Sequence, residues 1–174
     1  MRIRLIALTC PLLALACGGS SKATTGEEFL EKFQAAVKGK EAGTLWKMLS
    51  KKTRRLREHE IKYEIQNGYY DETRKDTLLK EFHAVKWTGD GEKDLREIKP
   101  DRLCLDRLQR RLDKGGAYRE FLDYRFLEEK PERKGVLLTV KTPSGQKVRI
   151  VLTRDDDYLK FDEELTGKYS PGDE

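Results

Sequence analysis

The 174-residue chain has little cysteine and little histidine, the residues from which disulfide scaffolds and zinc sites are built. Two of its three cysteines lie in or directly after an apolar leader, so Cys104 alone remains in the body of the protein. A single cysteine cannot form a disulfide within one chain. His59 and Glu60 begin like a zinc-protease helix, but Tyr63 stands where that motif requires its second histidine. We therefore expect no disulfide, no metal and no cofactor.

Long hydrophobic runs are also scarce, and the longest lies at the start of the chain. The mostly apolar residues 5–16 would cover about 18 Å as a helix, whereas a membrane span needs roughly 30 Å. Two arginines precede this run, and Ala14 and Ala16 end it with the small–x–small pattern of a cleavage site. The pattern predicts that residues 1–16 are an export signal that is removed.

The leader and the residue after it resemble the signal peptides of bacterial lipoproteins. The leader reads MRIRLIALTCPLLALA and is followed by Cys17 and the polar segment GGSSK. The resemblance implies cleavage before Cys17, a diacylglyceryl thioether on its sulfur and an acyl chain such as palmitate on its amino group. Lipoboxes favour leucine at the position of Ala14. Ordinary cleavage after Ala16, which would leave a free thiol, is the alternative.

The residues after the leader predict where the mature domain lies relative to the membrane. Residues 17–25 are predicted to form the lipidated cysteine and a tether, and residues 18–25 reach at most about 28 Å when fully extended. The domain must therefore stay close to the membrane surface. Residue 18 is glycine rather than aspartate. By similarity to lipoproteins of two-membrane bacteria, this residue favours sorting to the outer membrane, facing the periplasm.

The body of the chain changes its hydrophobic period part of the way along. Up to about residue 117, apolar residues recur at helical spacing in five segments, and Thr25, Ser50 and Asp71 are predicted to cap three of them. Alternation typical of strands follows at Leu122, Tyr124 and Phe126, at Val136, Leu138 and Val140, at Val148, Ile150 and Leu152, and at Leu159 and Phe161. The sequence predicts one α+β domain over 26–165, with N-terminal helices packed on a C-terminal antiparallel sheet of about four strands. Residues 166–174 are predicted to be a flexible tail.

Two segments resemble nuclear-transport-factor-2-like domains, which have a cystatin-like cone. These segments read AAVKGKEAGTLWKMLS and KVRIVLTRDDDYLKFDEEL, and the resemblance covers about 27–56 and 121–165. Tyr158 stands where these domains typically have tryptophan. Residues 70–117 look more helical than the corresponding part of that fold. The resemblance implies a bent sheet wrapped around helices, a cone-shaped pocket and pairing of two copies through the sheet. Related enzymes use an Asp–His pair in the cone, whereas no histidine lies in the predicted strands.

Charge is distributed unevenly along the chain. The segment from Lys38 to Lys62 has a net charge of +6, and the segment from Asp155 to Glu174 has a net charge of −6. A basic helix face could bind anionic lipid headgroups or phosphate-bearing wall polymers. Alternatively, the face is solvated and pairs with the acidic end of the chain. The residues predicted for anionic-surface binding are Lys51, Lys52, Arg54, Arg55 and Arg57.

Candidate pocket residues come from the aromatic side chains, which could instead belong to the core or its rim. The five that we predict to line a pocket are Trp46, Tyr63, Trp87, Tyr118 and Tyr124. The loop from Gly89 to Gly91 is too short for a phosphate loop, and Leu95 replaces the glycine that a calcium loop requires. Cys104 lies on an apolar helical stripe and is expected to be a core residue.

These observations favour a non-catalytic envelope lipoprotein, held at the membrane by its lipid anchor, whose domain binds an envelope protein or a small ligand. One alternative is a pocket enzyme of the polyketide-cyclase or isomerase type. Another alternative is a structural factor that binds anionic lipid or wall polymer through the basic helix. Export argues against a nucleic-acid partner, although the sequence pI is about 9.0. A homodimer is a further expectation.

Overall fold

A computed structural model of the protein describes residues 21–81 and 95–168. The leader, Cys17, Trp87 and the end of the predicted tail lie outside these residues. The elements, in chain order, are α1 (Gly26–Lys38), α2 (Ala42–Met48), α3 (Lys51–Gly68), α4 (Glu72–Glu81), α5 (Pro100–Asp113), a 3₁₀ helix (Arg119–Asp123), β1 (Arg125–Glu132), β2 (Gly135–Lys141), β3 (Lys147–Asp155), β4 (Tyr158–Phe161) and α6 (Glu163–Lys168). The prediction of an α+β fold with N-terminal helices and a four-stranded antiparallel sheet is confirmed.

The helices begin where short polar side chains can accept bonds from unpaired backbone N–H groups. The Oγ1 of Thr25 accepts from the backbone N of Glu28 at 3.2 Å, and the Oγ of Ser50 accepts from the N of Thr53 at 3.0 Å. The Oδ1 of Asp71 accepts from the N of Thr73 at 3.0 Å. All three predicted caps are confirmed.

The sheet is a meander in the order β1-β2-β3-β4, and one of its faces is buried against α1. Cross-strand pairs such as Leu138 with Ile150 lie on this inner face, since the side chains of a strand alternate between the two faces. Leu159 and Phe161 of β4 extend the same face and are 0% and 4% exposed. The predicted alternation of the last three strands therefore matches the structure.

The first strand differs from its prediction. Leu122 and Tyr124 were expected to alternate in a strand with Phe126, but Leu122 lies in the 3₁₀ helix and β1 begins after Tyr124. The side-chain amide of Gln34 donates to the carbonyl groups of Phe121 and Tyr124, at 2.7 and 2.8 Å. These bonds from α1 fix the turn, so contacts with a distant helix override the local alternation. The sequence RFLEEKPE of β1 carries no alternation because almost all of this edge strand is exposed.

Aromatic rings fill the space between α1 and the sheet. Phe33 of α1 is fully buried, with ring centroids of Phe121 at 4.9 Å and Phe161 at 5.8 Å. Phe29 and Tyr118 complete the cluster, with centroids 5.5 and 5.2 Å from that of Phe33. The interior that faces the inner side of the sheet is therefore packed with side chains. Within the described ranges, no helix combines the length and apolar character of a membrane span.

Both ends of the described chain pack against the sheet. The carbonyl of Ala23 accepts from the N of Leu159 in β4 at 2.8 Å, so the segment before α1 runs along that edge. At the other end, α6 crosses the expected boundary at residue 165. The Oγ1 of Thr166 accepts from the N of Val151 in β3 at 2.9 Å, which attaches the first residues of the predicted tail to the sheet.

Candidate functional site

The basic start of α3 lies against the acidic residues of the C-terminal segment. The Nζ of Lys51 is 3.0 Å from a carboxylate oxygen of Asp156, and the Nζ of Lys52 is 2.8 Å from Glu164. Three of the five residues predicted to bind an anionic surface, Lys51, Lys52 and Arg57, thus form ion pairs within the chain. The structure favours the alternative in which the two charged segments pair with each other.

A buried polar network joins the start of α3 to the start of α6. Ser50, Thr53 and Asp162 are each 2–3% exposed. The Ser50 hydroxyl lies 3.1 Å from that of Thr53 and 3.4 Å from a carboxylate oxygen of Asp162. The other oxygen of Asp162 accepts from the N of Leu165 and so caps α6. Because buried polar groups need partners, these bonds hold the two helix ends in one arrangement.

Glu163 connects this network to a tyrosine and an arginine. One of its oxygens accepts from Nε and Nη2 of Arg57 at 3.1 and 2.7 Å, and the other accepts from the Tyr118 hydroxyl. Burial, with the Glu163 charge next in importance, raises the pKa of Tyr118 well above its usual range. Burial lowers the pKa of Arg57, but Glu163, Tyr118 and Glu60 together outweigh this effect, and the pKa lies above its ordinary value. Both groups therefore stay protonated at neutral pH.

Beside this cluster, a cavity of about 180 Å³ opens between α2, α3 and α5. Its apolar wall comes from Trp46, Leu49, Ile61 and Leu108, and none of its lining residues belongs to the sheet. Two of the predicted pocket residues, Trp46 and Tyr118, meet here, although the cavity lies among the helices rather than in a cone. Its remaining lining residues are polar or ionisable: Arg57, Glu60, Cys104, Arg107, Arg111 and Tyr118.

Two of the three arginines in this cavity already have acidic partners. Arg57 pairs with Glu163, and Arg107 donates to both Glu64 and Glu81 at 2.6–3.0 Å. The hydrogen bonds that Arg107 donates to Glu64 and Glu81 raise its pKa above the usual range. Arg111 is exposed and makes no ion pair within the part of the chain that the structure describes.

Cys104 presents a neutral thiol to the cavity. It is a free, buried cysteine, and burial, with a smaller contribution from Glu58, raises its pKa to about 11. Since the thiolate is the nucleophilic form, the environment suppresses the reactivity of this thiol at neutral pH. It therefore serves as a small apolar group of the cavity wall.

We expect Cys104 to resist alkylation. At pH 8 a pKa of about 11, against an ordinary value of 9.0, lowers the thiolate fraction about a hundredfold. Iodoacetamide should thus modify Cys104 about a hundredfold more slowly in the folded protein than in urea, as measured by peptide mass spectrometry. Raising the pH from 8 to 9 should speed the folded reaction about tenfold. Equal rates in the folded and unfolded chains would contradict this account.

The remaining predicted residues are dispersed. Tyr63 is 61% exposed on α3 and does not line the cavity, and Tyr124 borders a separate open groove beside Gln34. Arg55 is exposed, whereas Arg54 is half-buried and its Nε has no hydrogen-bond partner among the described residues. Trp87 and Cys17 lie outside the described residues.

Sequence reasoning missed Arg107 and Arg111 as site residues. Both lie on α5 three and seven positions after Cys104, and this spacing places them on the same side of the helix. That spacing from Cys104 is the signal in the sequence that points to both arginines. Within residues 21–81 and 95–168, no group of His, Cys, Asp or Glu side chains is arranged to hold a metal ion.

Comparison of the chain with protein-family models, with curated proteins and with solved structures finds no match.

Proposed function

We propose that the protein is an exported lipoprotein, anchored to the outer membrane through Cys17 and facing the periplasm, whose helical half binds a small ligand without transforming it. The observation that carries the binding role is the cavity between α2, α3 and α5, which is lined by apolar side chains and three arginines. The export and anchoring parts rest on the leader and on the residue that follows it.

The size of the cavity limits the ligand. Pockets for drug-sized molecules measure about 300–1,000 Å³, and an apolar cavity of about 150 Å³ holds benzene. A volume of about 180 Å³ therefore suits one ring or a short branched chain beside the indole of Trp46. The ligand would be a metabolite-sized compound rather than a peptide.

The charges that line the cavity favour one negative group on that ligand. Arg57 and Arg107 are neutralised by carboxylates of the chain, whereas the guanidinium of Arg111 makes no ion pair with any residue that the structure describes. Arginine binds carboxylate and phosphate groups through paired N–H donors. We infer a small monoanion with an apolar body.

The protonation states of the lining residues support binding rather than catalysis. Cys104 is held as a thiol and Tyr118 as a phenol, and both oxygens of Glu163 already accept hydrogen bonds. The interior that a cone-pocket enzyme would need is filled by the aromatic cluster around Phe33. A binding module remains the function that these contacts favour.

Benzoate tests the proposed site, since it combines one ring with one carboxylate. We expect it to shift the indole N–H signal of Trp46 in NMR titrations, while benzyl alcohol and benzylamine bind more weakly. Arg111→Gln should weaken benzoate binding at least about tenfold, because a hydrogen bond to a charged group contributes about 1.5–3 kcal/mol.

Arg102→Gln is the matched control, since Arg102 is exposed on the same helix and does not line the cavity. It should leave the affinity for benzoate unchanged. Absence of a Trp46 shift, or equal binding of the neutral alcohol and the anion, would overturn the assignment of a monoanion site.

A further inference from the structure

The first described residues fix where the N-terminal segment enters the domain. Ala23 is 0% exposed and its carbonyl accepts from the N of Leu159, so the chain before α1 is bound to the edge of β4. One residue earlier, the Nζ of Lys22 lies 5.1 Å from the centroid of the Tyr158 ring. An anchor at Cys17 would therefore be connected to the domain at the edge formed by β4.

Several cations surround that point of entry. Lys160 of β4 points away from the buried face, and its Nζ donates to the carbonyl of Lys47 at 2.8 Å. Burial, and after it the positive charge of Arg54, lowers the pKa of Lys160, and Lys22 adds to the effect. The side chains of Arg54 and Lys22 are thus near Lys160, and the exposed Lys47 adjoins them through its carbonyl. We call them the anchor-side surface: Lys22, Lys47, Arg54 and Lys160.

The acidic residues beside this surface are largely engaged elsewhere. Asp155 accepts from the backbone N of Lys51 at 2.9 Å, and Asp156 pairs with the Nζ of the same lysine. Both carboxylates raise the pKa of Lys160, but less than burial and Arg54 lower it. Asp157 is exposed and makes no ion pair in the part of the chain described by the structure. Together with Lys51, the four cations of the anchor-side surface outnumber these three aspartates, so the surface keeps a small formal excess of positive charge.

We propose that the anchor-side surface lies against the membrane that holds Cys17 and contacts the headgroups of anionic phospholipids. This inference rests on the proposed lipid anchor. Residues 18–22 separate Cys17 from the bound segment, and five residues span at most about 18 Å. The short connection holds the surface near the headgroups at a high effective concentration, so weak attraction is sufficient. Electrostatic attraction acts within about 8 Å at physiological salt, a distance this tether allows.

The proposed surface differs from the basic run of α3 that the sequence suggested. Lys51, Lys52 and Arg57 are neutralised by the C-terminal segment. The cations that remain come mostly from the segment before α1, from the end of α2 and from β4, with Arg54 alone contributed by the basic run. The positive surface therefore lies at the β4 edge, where the tether leaves the domain, and not on the face of α3 that the sequence suggested.

Lysine acetylation tests this orientation in the complete lipidated protein. The protein is inserted into the outer leaflet of preformed vesicles, made of phosphatidylcholine alone or mixed with phosphatidylglycerol, and acetylation rates are measured by mass spectrometry. We expect phosphatidylglycerol to slow acetylation of Lys22 and Lys47 about fivefold, the factor that corresponds to about 1 kcal/mol of attraction per basic residue. High salt should restore the rates.

Lys141 and Lys147 are internal controls, since they flank the hairpin at the far end of the sheet. Lys147 lies eight residues along β3 from Asp155, about 26 Å away, and its rate should not respond to the lipid. In addition, Lys47→Gln with Lys160→Gln should reduce the protection of Lys22, whereas Lys141→Gln with Lys147→Gln should preserve it.

The outcomes separate this inference from the proposed function. Equal slowing of all lysines, or no slowing of Lys22 and Lys47 in protein whose N-terminal peptide carries the lipid mass, would overturn the anchor-side surface alone. An N-terminal peptide without lipid would overturn the proposed anchor and this orientation together. Benzoate binding at Arg111 is unaffected by either result.

Discussion

Replacing Phe33 by alanine is expected to lower the free energy of unfolding by about 3–5 kcal/mol, the range found for truncation of fully buried aromatic residues. Phe33 is 0% exposed and its ring meets four others across the interface between α1 and the sheet, those of Phe29, Tyr118, Phe121 and Phe161. Since small domains are stable by about 5–15 kcal/mol, this loss is a large fraction of the total. Urea denaturation followed by circular dichroism measures it.

Tyr70→Ala is the control for this truncation, since Tyr70 is 92% exposed. It should change the free energy of unfolding by no more than about 0.5 kcal/mol. A loss below about 1 kcal/mol for Phe33→Ala would mean that the space between α1 and the sheet is not packed as described. In that case an internal cone pocket would again be a candidate binding site.

Gly135→Ala is expected to destabilise the protein by about 3 kcal/mol, at the upper end of the range for overpacking. A Cβ built on Gly135 lies 1.9 Å from the carbonyl oxygen of Leu152 on the neighbouring strand. That oxygen belongs to the backbone, so no side-chain rotation can relieve the overlap. The pairing of β2 with β3 must shift at its first residue pair, and urea denaturation measures the loss.

Gly43→Ala provides the matched comparison in the same protein. Gly43 lies in α2, and a Cβ there meets no atom within 4 Å. The same substitution should therefore stabilise the protein by about 0.4–1 kcal/mol, because alanine reduces the freedom of the unfolded chain. If the two substitutions had similar effects, the close approach at Gly135 would be disproved.

The sequence predicted the parts of the fold that depend on local chemistry. The caps of α1, α3 and α4 follow from short polar side chains placed before apolar periods. The inner face of β2, β3 and β4 follows from alternation. The start of β1 was misplaced because the turn before it is held by Gln34, which is distant in the sequence. Helix α6 was missed because its six residues carry no period of their own.

The site was less predictable, because it forms where distant segments meet. Trp46, Tyr118 and Arg57 were selected by residue type, but nothing in the sequence showed that these three lie together. Arg57 and Glu163 are 106 residues apart in the chain, so the sequence left both interpretations of the basic run open. That Arg111 lacks an ion-pair partner among the described residues became visible only once the partners of Arg57 and Arg107 were known.

The contact between the two ends of the described chain has a consequence for how the protein matures. Ala23 binds the edge of β4, and Ser50 bonds to Asp162, which lies 112 residues further along. A chain emerges from the ribosome, or from an export channel, with its N-terminal end first. The segment before α1 and the start of α3 therefore gain these contacts only after the last strand has emerged, and closing so long a loop slows folding. The native arrangement is therefore completed only when almost all of the chain has emerged.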